Sequence, residues 1–240
     1  MQSRAICPRD ASPAPWKVEE TGVEEIMSSL FPMFLKLEGK HCLVVGAGKV
    51  GEGKIGGLLD TGARVHVVAL QAGAAVHEWA RNGKITLELR AFTPEDLDAA
   101  FLAIVATASP GLNEFIYREA ERRGVLCNVV DVPEYCDFYY PAVVRRGDLQ
   151  IAISTSGQSP SLAQRIRQQL ERQFGLGYAA WVAELGATRR LVLASDLDPQ
   201  RKRELLHSLA SREALNAALA EESAGRFANE VAENDRRVIA

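Results

Sequence analysis

The 240-residue sequence has no long hydrophobic run, little cysteine and no excess of charge of either sign. Its early apolar stretch, Met27–Leu37, is too short and interrupted for a secretory core or a membrane span, so neither export nor insertion is predicted and the cytoplasm is the expected compartment. The four cysteines, Cys7, Cys42, Cys127 and Cys136, lack C-x-x-C spacing, and His41, His66, His77 and His207 stand singly. A structural zinc site is therefore not expected, and no residue is assigned as a metal ligand. Cys42 and Cys127 sit inside apolar runs as ordinary core thiols, so nothing demands an oxidising compartment. With 28 basic against 31 acidic residues the net charge is −3, which gives no general attraction to nucleic acid or to an anionic membrane.

What remains is a folded chain of average composition, 47% hydrophobic and 25% charged, long enough for one large domain or two small ones. Its basic residues are skewed: 7 Lys against 21 Arg, with 16 of the Arg after position 110. Two readings stay open, GC-rich coding and a surface that binds carboxylates through planar guanidinium forks.

Residues 1–31 show no sustained period and read as a mobile extension. From His41 the pattern alternates. HCLVVG is a strand, Val50–Leu59 a helix, RVHVVAL a strand and Ala74–Arg81 a helix; KITLEL, FLAIVAT and VLCNVV continue as strands, separated by helical segments at Pro94–Ala99 and Leu112–Arg123. Five strands with intervening helices predict an α/β, Rossmann-type doubly wound parallel sheet. After Val130 an aromatic loop, EYCDFYYP, leads into two β-branched runs joined by Gly147-Asp148, which predicts a hairpin. Ser159-Pro160 then opens a helix with Leu162, Ile166, Leu170 and Phe174 on one stripe, and only helices follow, one restarting at Asp198-Pro199.

Gly46-Ala47-Gly48-Lys49-Val50-Gly51 is G-x-G-x-x-G placed between a strand and a helix, the context that makes it a dinucleotide-binding turn. The first glycine permits the turn, the second admits a pyrophosphate and the third allows close helix packing. The acidic residue expected at the end of the second strand is absent: Ala69, Leu70 and Gln71 occupy that position. No Arg follows between Gln71 and Ala80, which favours NAD over NADP. Thr107 ends the fourth strand and Asp131 follows the fifth, both on the edge where such sheets bind ligands. Asp131 reads either as a turn-capping residue or as a functional group, a proton acceptor or an oxygen ligand for a divalent ion.

GAGKVGEGK, VATASPGLN and NVVDVPEYCDFYYPAVVRRGDLQIAISTSGQSPSLAQRIRQQLE, in this order, resemble the siroheme synthase family of precorrin-2 dehydrogenases and sirohydrochlorin ferrochelatases, over roughly Pro32 to Phe174. The resemblance implies NAD-dependent oxidation of precorrin-2, with iron(II) a substrate metal in members that also make siroheme. It implies a Rossmann domain over 32–137, a small β-containing dimerisation region over 138–175, a helical C-terminal region over 176–240, and an intertwined homodimer. The family's catalytic aspartate falls on Asp131, and its dinucleotide contacts fall on the glycine turn, notably Lys49 and Val50, and on Leu70 and Gln71; Thr107 is grouped with them from its strand-end position. Arg145, Arg146, Arg165 and Arg167 become carboxylate partners for the tetrapyrrole. Two departures stand out: Ala108 and Ser109 replace usually acidic residues, and S-T-G-G becomes Ser154-Thr155-Ser156-Gly157. The competing reading is a non-catalytic, NAD-responsive regulatory Rossmann module.

Overall fold

Strand β1 (His41–Ala47) is buried almost throughout, the pattern of a strand covered on both faces. It pairs in parallel with β2 (Arg64–Ala72) on one side and β4 (Leu102–Val105) on the other, and β3 (Ile85–Leu89) and β5 (Leu126–Val129) complete a five-stranded sheet of order β3-β2-β1-β4-β5. The chain direction of the crossovers reverses between β1 and β4. Their carboxyl ends therefore border the crevice in which doubly wound sheets hold ligands. A computed structural model describes residues 30–211 together with Glu213 and Asn216. Residues 1–29 of the expected extension, and 217–240 of the expected helical tail, lie outside them.

Alternation along the strands sends Val44, Val67 and Ile104 to one face, where α1 (Lys49–Leu59) and α2 (Ala74–Arg81) contribute Ile55 and Val76. Leu43, Val45 and Val105 pack on the other face against Ile116 and Ala120 of α3 (Pro110–Arg123). Each such fully buried aliphatic side chain stabilises the fold by about 1.5–3 kcal/mol before entropy is charged against it. Helix α3 begins two residues before the periodic apolar pattern does, because Pro110 already has the φ of a first helical residue. The expected helix at Pro94–Ala99 is a 3₁₀ turn, Pro94–Leu97, held by a reciprocal capping box between Thr93 and Asp96.

That box carries a further pair. Asp96, 8% exposed, accepts the Thr93 N–H at 2.8 Å and a two-pronged contact from Arg90 at 2.5 and 2.8 Å, while Arg90 also donates to Glu88 at 2.7 Å. Burial alone would raise the Asp96 pKa, but the Arg90 fork and the Thr93 N–H outweigh it and hold the carboxyl below its ordinary range. Asp96→Ala removes the cap and leaves the partly solvated Arg90 guanidinium with Glu88 as its remaining carboxylate, so the expected loss is about 2 kcal/mol. Because the folded pKa is depressed, this contribution is present above the unfolded value near ~3.9 and is lost as pH falls through the folded one. Urea unfolding of both proteins at neutral pH and below pH ~3 checks this: the gap should shrink in acid, and an equal gap at both would show that packing, not charge, is what Asp96 supplies.

Beyond the sheet, β6 (Ala142–Arg146) and β7 (Leu149–Ile153) form the expected antiparallel hairpin around Gly147-Asp148. A two-stranded ribbon is marginal alone; this one is backed by α4 (Pro160–Gln173), with Val144 fully buried between them. Arg146 fastens the two, donating to the carbonyls of Phe174 at 2.7 Å and Glu171 at 3.1 Å. Helices α5 (Tyr178–Ala194) and α6 (Pro199–Leu209) follow, the latter capped by Asp198. From Phe34 onward the described residues form one compact unit. Among them no helix is long and apolar enough to cross a membrane.

Candidate functional site

Three glycines make the β1–α1 turn for three different physical reasons. Gly46 has φ +98°, and a Cβ there would stand 2.4 Å from the Ala106 carbonyl oxygen, so only glycine lets β1 and β4 turn out together. A Cβ on Gly51 would run into the Gly46 carbonyl, so α1 can lie this close only without a side chain. Gly48, at the helix N-cap, faces open space instead: a Cβ there meets nothing within 4 Å. The first-turn N–H groups of Lys49, Val50 and Gly51 have no intrahelical acceptor, so the turn presents donors to an anion in an unobstructed place.

Leu70 and Gln71 lie at the exposed end of β2, Leu70 being 76% exposed, with Val50 of α1 also open to solvent. An acid that sequence order hides comes to this edge: the Glu52 carboxylate sits against Gly73, where a Cβ would lie 2.9 Å from Oε2. On the other wall Thr107 donates its hydroxyl to Asn113 at 2.5 Å, and Asn113 returns an N–H to the Thr107 carbonyl. The Thr107 side chain is thus committed to holding the β4–α3 loop, and its own proton is already placed.

Asp131 follows β5 with φ +62°, a left-handed conformation that aspartate tolerates better than most residues. The backbone around it is fixed by Val130 N–H to Val105 O at 2.9 Å and Val132 N–H to Val129 O at 3.2 Å. Buried Asn128 donates to the Phe138 carbonyl at 2.7 Å, and Asp137 accepts the Cys127 N–H at 2.8 Å, which folds the aromatic loop back over the strand end. Between this loop, β7 and the start of α4 opens a cavity of about 400 Å³, whose wall includes Asp131, Cys136, Tyr140, Thr155, Gln164 and Lys54. Ser156, where the family pattern has glycine, takes φ +51° in the loop that closes one side.

Cys42 and Cys127 are passive. Burial pushes Cys42 up to about 11 and Cys127 up to about 12, so both stay thiols. Among the described residues no group of three or more His, Cys, Asp or Glu could hold a metal ion. The arginines expected to meet carboxylates stand elsewhere: Arg146 is used on α4, Arg167 pairs with Glu171 and Gln164, and neither these nor Arg145 and Arg165 line the cavity. The cation that does is Lys54, the last residue of GAGKVGEGK, which helical periodicity alone does not place at the cavity.

Known proteins align with these same stretches. The family model described as putative NAD(P)-binding matches residues 33–142, and that described as sirohaem biosynthesis protein central matches residues 146–173. The chain is 41% identical over 140 residues to the siroheme synthase of Nitrosococcus oceani, covering 58% of this chain and 30% of that one. It is 37% identical over 194 residues to siroheme synthase 2 of Yersinia enterocolitica, covering 80% and 41%. The chain therefore spans less than half the length of these curated relatives. Among solved structures it is similar to the precorrin-2 dehydrogenase SirC, with a TM-score of 0.67 and 29% identity, over 80% of this chain and 98% of that one.

Proposed function

Over residues 33–142 and 146–173 this chain belongs to the siroheme synthase family, and from that premise we propose that it is an NAD-dependent precorrin-2 dehydrogenase that forms sirohydrochlorin. The observation that carries the proposal is Asp131, among the described residues the one carboxylate on the wall of the cavity at the sheet's carboxyl end. Precorrin-2 and NAD⁺ give sirohydrochlorin, NADH and a proton, so the protein must hold a dinucleotide, hold an acidic macrocycle beside it and take up that proton.

The open side of Gly48 has room for a pyrophosphate, with the N–H groups of Lys49, Val50 and Gly51 as its donors. Bound there, NAD supplies the hydride acceptor. Exposed Leu70 and Val50 offer apolar surface to an adenosine, and the Gln71 side chain offers an amide. Glu52 beside Gly73 places negative charge where a 2′-phosphate would come, which supports NAD over NADP. Thr107 contributes by fixing the facing loop. Asp131 accepts the proton released as the macrocycle is oxidised.

Iron(II) insertion into sirohydrochlorin is the second activity in this reading: the same carboxylate can take pyrrole N–H protons while the metal passes through as substrate. The regulatory-module alternative gives a cavity with a lone carboxylate no task. Residues 32–137 then serve as the NAD-binding part and 138–175 as the dimerisation region, followed by helices α5 and α6. Exposed Leu162, Leu176, Leu191 and Leu193 on the segments after residue 138 support a homodimer that covers them, and the buried free thiols suit a reducing cytoplasm. The test is anaerobic incubation with precorrin-2 and NAD followed by iron(II), read by tetrapyrrole absorption. Sirohydrochlorin followed by siroheme supports both activities; sirohydrochlorin alone removes the chelatase; no change removes the proposal.

A further inference from the structure

We propose that Lys54 is the residue through which this cavity binds its substrate's charge, its ammonium taking one carboxylate of the tetrapyrrole beside Asp131. The inference rests on the dehydrogenase reading above and adds a residue to it. Lys54 lies on α1, the helix of the glycine turn, but it serves a different space: it lines the cavity formed by the aromatic loop, β7 and α4. Among the described residues lining that cavity it is the one cation, as Asp131 is the one carboxylate. The four arginines first expected in this role are outside the wall.

The local chemistry leaves Lys54 incomplete. Its Nζ stands 3.4 Å from the centroid of the Tyr140 ring, and among the described residues it makes no hydrogen bond or ion pair. A π face satisfies one side of an ammonium, whereas –NH₃⁺ carries three donors. The side chain is half-buried, and a charge in that position without an anionic partner is held at a cost. Burial lowers its pKa, while the charge of Asp131 acts in the opposite sense. The ammonium is therefore poised near the proposed base and lacks the oxygen partner that a carboxylate would supply. Tyr140 fixes where the ammonium sits, so a bound carboxylate orders one edge of the macrocycle relative to Asp131. The cavity takes that edge alone, and the remaining acidic side chains of the substrate stay towards solvent.

Full-length Lys54→Met, with Lys54→Gln as a second neutral variant and Lys54→Arg as the charge-retaining one, tests this. Binding of sirohydrochlorin is followed by its absorbance, NAD binding by calorimetry, and precorrin-2 turnover by steady-state kinetics. Losing a charge-assisted contact predicts a rise of about 10-fold or more in the sirohydrochlorin Kd and the precorrin-2 KM for both neutral variants, with kcat and NAD Kd within about 3-fold of the parent. Lys54→Arg should recover most of the affinity, and added salt should weaken binding to the parent more than to Lys54→Met. Tetrapyrrole affinity unchanged in the neutral variants, with turnover intact, overturns the role of Lys54 and leaves the dehydrogenase reading standing. An equal loss of NAD affinity also overturns it, by assigning Lys54 to the dinucleotide. A parent protein that neither binds sirohydrochlorin nor oxidises precorrin-2 fails the underlying reading instead.

Discussion

Asp131→Asn is expected to lower kcat for precorrin-2 oxidation by about 10³-fold, the middle of the range for removing a general base, while leaving NAD affinity and the fold intact. Asparagine is the right replacement because the position is left-handed, φ +62°, and asparagine accepts that conformation as readily as aspartate. Alanine would add roughly 1–2 kcal/mol of backbone strain and confuse a chemical loss with a structural one. The surrounding turn is held by main-chain bonds, Val130 to Val105 and Val132 to Val129, which the substitution does not touch. Steady-state kinetics under anaerobic conditions, with calorimetry for NAD, separates the outcomes. Full turnover would remove Asp131 from its assigned role; lost turnover together with lost NAD binding would make it a structural residue of the crevice.

Gly48→Asp should abolish NAD binding without destabilising the protein, a combination that few substitutions in a glycine turn can give. Its Cβ enters empty space, and aspartate at a helix N-cap is preferred over most residues, so the melting temperature should hold or rise slightly. The new carboxylate, however, stands where a pyrophosphate must lie. Two like charges about 4 Å apart at an effective dielectric of ~20 repel by about 4 kcal/mol, or roughly 10³-fold in affinity. Gly46 makes the opposite case, because a side chain there meets the Ala106 backbone before any ligand arrives. Calorimetric titration with NAD alongside thermal unfolding decides the matter: undiminished NAD binding by a folded Gly48→Asp protein would mean that the turn is not the dinucleotide site.

Features written in consecutive residues were legible from the sequence. The run Gly46–Gly51 between an apolar strand and a helix, the Gly147-Asp148 hairpin, and the Ser159-Pro160 and Asp198-Pro199 helix starts all appear where local chemistry put them. The place of Asp131 beside the cavity was legible because a strand end in a doubly wound sheet is an address as well as a position. Long-range placement was not. Lys54 and Asp131 meet at one cavity although 77 positions separate their numbers, and nothing in a helix's own periodicity says which loop will arch over it. Glu52 reaches Gly73 for the same reason and stands near the edge where an acid was missed after β2. The arginine skew misled in the other direction, since Arg90, Arg123, Arg146 and Arg167 are tied to carboxylates and carbonyls of the fold itself.

Coupling of tetrapyrrole oxidation to NAD reduction is tested most directly by a single-turnover measurement with excess enzyme, anaerobic precorrin-2 and NAD, counting NADH formed against sirohydrochlorin formed. A dehydrogenase gives equal amounts of the two, appearing together and only when both substrates are present. Sirohydrochlorin arising without NADH, or precorrin-2 persisting beside bound NAD, would contradict it.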